Sequence, residues 1–342
     1  MTISLVTGGS GFIGQHLVDQ LLADGERVRV LDIEPPRVRR SGVHYIEGSV
    51  TDPTTVKQAM DGVRHLYHTA AIPHLWIPDP KMFEETNVIG TRIVFEEALG
   101  AGVERAVHTS SATVLIDGLA GGSPVSLDER YQTQESDLFG DYARSKWRAE
   151  AVALEYSRKL PVVIVLPTLP LGPGDQHLTP PSRMLLDFVN GKNSAYADCI
   201  LNIIDVRDVA AGHRRACASG RPGDRYILNC HSLPMTSFLE CLETLTGRAM
   251  PSWRIPGACA LAVSGIFELW SNLVSGSAPI APLAGTRMGL QPIIFCSSRA
   301  KQELELPSTP LAATLSDAVA WLSSEGHLID ERSDEALVLD DR

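Results

Sequence analysis

The chain has 342 residues, 44% of them hydrophobic, and a formal net charge of −11, which describes an ordinary globule with ample core, large enough for one domain or two. The acidic balance, with no basic stripe carrying interleaved aromatics, argues against a nucleic-acid partner. Six cysteines, at positions 199, 217, 230, 241, 259 and 296, form no C-x-x-C pair; they read as reduced, mostly buried thiols of a cytoplasmic protein, not a disulfide or zinc framework.

In chain order, Thr2 to Thr7 reads as a strand, so no signal peptide is expected ahead of the fold. A glycine loop follows, and then a helix with Leu17, Val18, Leu21 and Leu22 on one face. The pattern T-G-x-x-G-x-x-G places Gly8, Gly11 and Gly14 between strand and helix, with Phe12 and Ile13 completing the cradle. One glycine permits the sharp turn, one lets backbone approach a pyrophosphate, and one lets the helix lie close on the strand. The N–H groups and dipole at the start of that helix favour an anion. A second strand, Val28–Leu31, ends in Asp32. An acid there bonds both ribose hydroxyls of an adenosine and repels a 2′-phosphate, which points to NAD over NADP. Arg37, Arg39 and Arg40 just beyond read as a solvated basic loop.

Further strands are expected at Val43–Ile46, Val63–His68, Arg105–Thr109 and Val162–Leu166. Helices are expected at Thr54–Met60, over 81–100, and at Tyr142–Leu160, with a Gly-, Ser- and Asp-rich loop over 117–137. This alternation implies an α/β Rossmann architecture, a doubly wound parallel sheet whose ligands bind beyond the strands' carboxyl ends. From Pro167 prolines break the rhythm and shorter elements follow: strands at Asn202–Asp205 and Tyr226–Leu228, and helices at Val206–Ala218, Thr236–Leu245 and Leu311–Ser323. The reading is a cofactor domain over 1–166 and a smaller substrate-binding α/β region over 167–329 that returns some elements to the main sheet. An acidic tail occupies 330–342. The apolar run Ile255–Phe267, prolonged by Leu269, Trp270, Leu273 and Val274, is too short to span a bilayer and reads as a helix buried against the domain. A membrane-surface role for residues 257–274 is the less favoured alternative.

Tyr142 and Lys146 lie four residues apart, hence on one helix face. Ser111 precedes them by about thirty residues, at the carboxyl end of a strand. A phenol titrates near ~10, too high for efficient proton exchange at neutral pH. A nearby ammonium and an oxidised nicotinamide would both favour phenolate, and a drop of ~3 units needs ~4 kcal/mol. Ser111 would fix a carbonyl or hydroxyl oxygen for Tyr142 while hydride moves at the carbon. Ser110 is the other serine in reach, with its side chain expected on the opposite face of the strand.

With T-G-G-S-G-F-I-G (7–14), Asp32, H-T-A-A (68–71), N-V-I-G-T (87–91), H-T-S-S-A-T-V (108–114), Y-A-R-S-K (142–146), P-T-L-P-L-G-P-G-D (167–175) and N-I-I-D-V-R-D-V-A-A-G-H (202–213), the chain resembles an extended short-chain dehydrogenase/reductase over nearly its whole length. The resemblance implies catalysis by Ser111, Tyr142 and Lys146. It also implies cofactor contacts from Ala70, Ala71, Asn87, Thr109, Pro167, Thr168 and Leu169. Ser49 stands where relatives often carry an Asp at the adenine, with Val50 as a further contact to the ring. Many relatives pair through helices equivalent to 81–100 and 142–160, so a homodimer is expected.

The motif core does not choose between reductases, dehydratases and epimerases. Ser111-Ala112-Thr113 lacks the acids that dehydratases carry there. Leu169 and Leu201 offer no hydrogen bonds to a sugar nucleotide's diphosphate, where epimerases often place Asn and Arg. P-T-L-x-x-G-P resembles dihydroflavonol and cinnamoyl reductases, Trp253-Arg254-Ile255-Pro256 resembles 3β-hydroxysteroid dehydrogenases, and the run Leu75 to Pro80 resembles hopanoid-associated sugar epimerases. Trp76, Ser111, Leu178, Met184 and Phe188, with Trp253 and Trp270, are the candidates for a substrate pocket. The expected activity is alcohol–ketone interconversion on a fairly apolar small molecule. The alternative is a sugar epimerase that retains its NAD. Intact catalytic residues argue against a cofactor-binding protein without turnover.

Overall fold

A computed structural model describes residues 2–118 and 123–329. Part of the 117–137 loop and the acidic tail therefore lie outside the described residues. The seven strands of the central sheet are β1 (Ile3–Thr7), β2 (Arg27–Asp32), β3 (Val43–Glu47), β4 (His65–His68), β5 (Arg105–Thr109), β6 (Val162–Pro167) and β7 (Arg225–Leu228). All pair in parallel, in the order β7-β6-β5-β4-β1-β2-β3. This is the doubly wound arrangement expected from strands separated by helices, and β7 is the strand that returns from the second half of the chain.

Side chains alternate across the sheet with period two. Leu5, Leu31, Leu66, Ala106 and Ile164 fill one face against Phe95 and Val152. Val6, Val30, Tyr67, Val107 and Val165 fill the other, against Leu17 and Leu21 of the helix Phe12–Ala23. Both faces are covered, which is why β6 is buried at all six positions. The register sets Thr7 opposite Leu31 and His68, and His68 opposite His108. The carboxyl ends of β1, β4 and β5 thereby form one ledge. A third core cluster, with Leu186, Phe188, Phe238, Leu242 and Leu315, supports the smaller region around the sheet of Leu169–Leu171, Ile200–Asp205 and His231–Pro234.

Four expectations change. The helix over 81–100 carries a π turn at Glu84–Ile89, between α segments Lys81–Phe83 and Gly90–Gly100. Inside the expected 117–137 loop, Val125–Leu127 forms a strand because Ile293–Phe295 arrives alongside it. Leu169–Leu171 is a strand despite Pro170; it lies at the edge of its sheet, where a missing N–H is tolerated.

The fourth change is the apolar run. The helix Gly257–Trp270, continued by a π turn Ser271–Ser275, is not a core helix. Ile266 is 68% exposed and Leu273 74%, and Trp253 just before the helix is 77% exposed. The cause is a polar stripe. Ser264 and Ser271 are the buried residues of these two segments, so the polar side docks and the apolar side faces outward. The six cysteines are unpaired as expected, but only Cys217 is fully buried and Cys259 is exposed.

Candidate functional site

The glycine loop is shaped by close approaches that a side chain would block. Gly8 has φ +70°, and a Cβ there would lie 2.7 Å from Ala70 N; at Gly14 it would lie 2.1 Å from Gly8 O. Gly11 opens the helix Phe12–Ala23 without a side-chain cap, which leaves first-turn N–H groups to an anion. Ser10 Oγ is buried beside them with no hydrogen-bond partner among the described residues. Ser10 N donates to Asp32 Oδ2 at 2.9 Å, tying the loop to the end of β2. Burial pushes the Asp32 carboxyl up, opposed by N–H groups of Ser10, Glu34 and Ile33. Beyond it runs a cleft lined by Ser10, Asp32, Glu34, Pro36, Arg39 and Ile46. An orphaned hydroxyl, a glycine cradle and a carboxylate at the cleft fit a dinucleotide of the NAD type.

The basic loop divides in a way its sequence does not show. Arg37 pairs with Glu325 and Arg40 with Asp19, whereas Arg39 lies over the Tyr45 ring at 5.5 Å and lines the cleft. The predicted adenine contacts also separate. Ser49 Oγ bonds Thr51 Oγ1 at 2.7 Å near the surface, while Val50 is buried against Gly90 and belongs to the core.

Tyr142 and Lys146 occupy one stripe of the helix Gly140–Tyr156. Ser111, just after β5, lies close enough to Tyr142 to favour the ionised form of its phenol. Ser111 Oγ also accepts from Thr113 N at 3.2 Å and Thr113 Oγ1 at 2.9 Å, which leaves its own O–H to donate. The Phe83 ring packs 6.2 Å from the Tyr142 ring. Burial pushes the phenol above its ordinary value and the neighbouring Ser111 hydroxyl opposes the shift. The expected lowering by the ammonium is thus absent from the protein alone. Lys146 Nζ donates instead to Thr109 O at 2.6 Å, and burial pulls the amine down to about 8.

Thr109, expected at the cofactor, is a brace. Its carbonyl holds Lys146 and its hydroxyl bonds His213 Nε2 at 2.7 Å. Asn87 is likewise committed inside the protein. Its Oδ1 accepts from Ile72 N at 2.8 Å and its Nδ2 donates to Ser145 Oγ at 2.9 Å. The π turn around Asn87 aims that amide at the helix Gly140–Tyr156, and such turns are frequent at functional sites. Thr168 Oγ1 lies 3.2 Å from Leu228 O and from Asn229 Oδ1, Pro167 ends β6, and Leu169 begins the next short strand. Ala70 and Ala71 are half-buried beyond β4, on the ledge facing Gly8.

The pocket candidates do not form one group. Phe188 is core, with Leu178 and Met184 packed on the same cluster. Trp76 donates from its indole to Asn272 Oδ1 at 2.9 Å, and Trp253 and Trp270 are exposed.

Several residues escaped sequence reasoning. Glu150 lies one turn beyond Lys146 on the same stripe; it accepts from Ser110 Oγ and pairs with Arg225 at 2.9 Å. That bond is where the second serine goes. Three buried histidines lie beneath the ledge. His68 bonds Thr7 Oγ1 and Thr91 Oγ1, His213 bonds Thr109, and the rings of His108, His68 and Phe95 pack as a triangle with centroids 5.6–5.9 Å apart. Burial lowers all three, His68 to about 3 and His213 to about 4, so they are neutral. The i, i+4, i+8 spacing of Tyr142, Lys146 and Glu150 was the available signal for the first; the histidines stand at the ends of three of the quoted motifs, but nothing local marks them as buried braces.

Comparison with known proteins agrees with this geometry. Residues 4–229 match the model of the NAD dependent epimerase/dehydratase family. A Synechocystis sp. protein bearing a dihydroflavonol 4-reductase name is 36% identical over 331 residues, covering 94% of this chain and 95% of that one. Sterol demethylase protein B of Methylococcus capsulatus is 32% identical, covering 94% and 99%. The crystal structure of gox2253 superposes with a TM-score of 0.82 at 33% identity, covering 96% of this chain and all of that one. With the glycine cradle, Ser111, Tyr142 and Lys146 on one ledge, the chain belongs to the NAD-dependent epimerase/dehydratase family, in the extended short-chain dehydrogenase/reductase branch.

Proposed function

We propose that this protein is an NAD(H)-linked oxidoreductase that interconverts a secondary alcohol and a ketone on a fairly apolar small molecule. The observation that carries the reading is the placement of Ser111, at the carboxyl end of β5, close to the half-buried Tyr142 phenol, with Lys146 Nζ held by Thr109 O at 2.6 Å on the same helix stripe. Nicotinamide, when bound, supplies or accepts the hydride. Gly8, Gly11 and Gly14 with the first-turn N–H groups would hold its pyrophosphate, and Asp32 its adenosine ribose.

Ser111 can donate its free O–H to the reacting oxygen, because Thr113 already occupies the hydroxyl's lone pairs. Tyr142, kept protonated by burial, is poised to give its proton to that oxygen as alkoxide character grows. Lys146, held by Thr109 O, places a partly charged amine on the same helix stripe and can follow the proton by electrostatic compensation. Glu150, Ser110 and Arg225 are positioning residues behind it.

The apolar substrate class is supported by the Phe83 ring beside Tyr142 and by relatives named for reductase and sterol chemistry; Leu201, which offers nothing to a diphosphate, belongs to the core. NAD is preferred over NADP on the strength of Asp32 at the cleft, with Arg39 the cation nearest to softening it.

The test is a panel of steroids, aryl ketones, flavonoids and UDP-sugars with NADH and NADPH side by side, read by nicotinamide absorbance. Stoichiometric NADH consumption with an apolar ketone is expected. Turnover of UDP-sugars alone, with no net redox and a copurifying nucleotide, would overturn the reading in favour of an epimerase.

A further inference from the structure

From the inverted polarity of the helix Gly257–Trp270 and its π-turn extension, we infer that this face docks on the surface of a lipid bilayer. Ile266, Leu269, Trp270 and Leu273 follow i, i+3, i+4, i+7 spacing and so share one face, and all four are exposed. The opposite stripe is polar and fastened to the protein. Ser264 Oγ bonds Thr286 Oγ1 at 2.6 Å, Glu268 Oε2 accepts from Leu283 N at 2.7 Å, and Asn272 Oδ1 accepts from Trp76 Nε1 at 2.9 Å. Exposed Trp253 and Ile280 prolong the apolar surface before and after the helix.

The segment Gly257–Ser275 is apolar enough to cross a membrane by length and composition. Its bonded polar stripe prevents that, because crossing would strip three side-chain hydrogen bonds and carry a carboxylate into hydrocarbon. Lying in the interface satisfies both sides: bonds to protein beneath, acyl chains above, and indoles at headgroup level.

Charge selects lipid over a second copy of the chain. The whole protein carries −11, yet from Ser252 to Gln291 the charged residues are Arg254, Arg287 and Glu268, and the single acid is turned inward. The outward carboxylate that joins this face from the paired strand, Asp198, is neutralised by Arg254 at 2.8 Å, so an anionic headgroup layer meets no unpaired acid from this segment. A twin of an acidic chain would require no such neutralisation.

The face also adjoins the site. Ala284, on the helix Leu283–Gly289 beneath it, lies 2.7 Å from where a Cβ on Gly140 would stand, and Gly140 opens the helix that carries Tyr142. Gly285 meets Leu75 next to Trp76. That an apolar substrate passes from lipid to Tyr142 along this edge rests on the function proposed above; the docking does not.

The experiment is co-flotation of the full chain with phosphatidylcholine vesicles, with and without phosphatidylglycerol, in the absence of substrate, and with light scattering on the lipid-free protein. Binding to both vesicle types is expected, tighter with phosphatidylglycerol. The double substitution Leu269→Ser and Leu273→Ser should weaken partitioning by roughly a hundredfold while thermal unfolding in lipid-free buffer and turnover of a water-soluble ketone stay unchanged. Failure to float with either vesicle would overturn the inference. So would a dimer without lipid that the double substitution dissolves while vesicle binding is nil. Because no substrate is present, either failure leaves the proposed reaction untouched.

Discussion

The helices Gly140–Tyr156 and Gly257–Trp270 both bury polar groups and differ in what those groups meet. In the first, the inward stripe ends in a network: Lys146 on Thr109 O, Glu150 on Ser110 and Arg225, and Ser145 on Asn87. A buried amine and a buried carboxylate survive there because opposite charge and hydrogen bonds replace water. In the second, Ser264, Glu268 and Asn272 bond only hydroxyl, N–H or indole partners, and the apolar majority is displaced outward. Mean hydropathy misleads for both helices. The first is polar in composition and central; the second is the most apolar segment and peripheral. The environment that answers each polar group decides which way a helix faces.

The contrast breaks most visibly at the phenol. Tyr142→Phe should lower turnover by roughly 10²–10⁴-fold with an unchanged melting curve, measured by steady-state kinetics beside thermal unfolding. An equal fall in stability would instead make the residue structural. Next in size is the ion pair behind it. Glu150→Ala leaves the Arg225 guanidinium buried without its acid, and such removals cost about 3–5 kcal/mol, readable in urea titrations. Glu150→Gln, which can still accept from Ser110, should recover part of that loss. If both variants were neutral, the stripe would be no more demanding than that of the outer helix.

The buried histidines sharpen the comparison through pH. In the fold, burial holds His68 near 3 and His213 near 4, against an ordinary 6.5. Between these values the unfolded chain binds protons that the folded chain refuses, so stability must fall as pH drops from about 6.5 toward 3. Thermal unfolding across that window should show the slope, and His213→Asn should flatten it. The smallest effect belongs to the exposed face: Leu269→Ser alone should change lipid-free stability by no more than about 0.5 kcal/mol, because its side chain meets solvent on that side. A larger loss by calorimetry would mean that the leucine packs on the protein.

Much of the site was legible because its signals are local. The turn at Gly8 to Gly14 needs residues without Cβ wherever it occurs, and Tyr142 and Lys146 share a face by helical geometry alone. The braces were not legible. Thr109 meets His213 and Ser110 meets Glu150 across strands and helices that only packing brings together. Asn87 was noticed in the motif, but its bond to Ser145, which depends on the π turn, was not legible. Phe188 was an aromatic with no local mark to tell pocket from core.

By itself, then, the sequence determined the alternating strands and helices, the parallel order they imply, the dinucleotide turn and the residues able to move a proton, since each follows from periodicity or steric need within a few positions. The tertiary structure decided that burial pushes the half-buried phenol above its ordinary value, that the ammonium is held by a strand carbonyl, and that the greasiest helix faces outward. Those outcomes depend on which groups lie opposite one another in space. Burial and hydrogen-bond satisfaction are properties of that neighbourhood, not of any segment read alone.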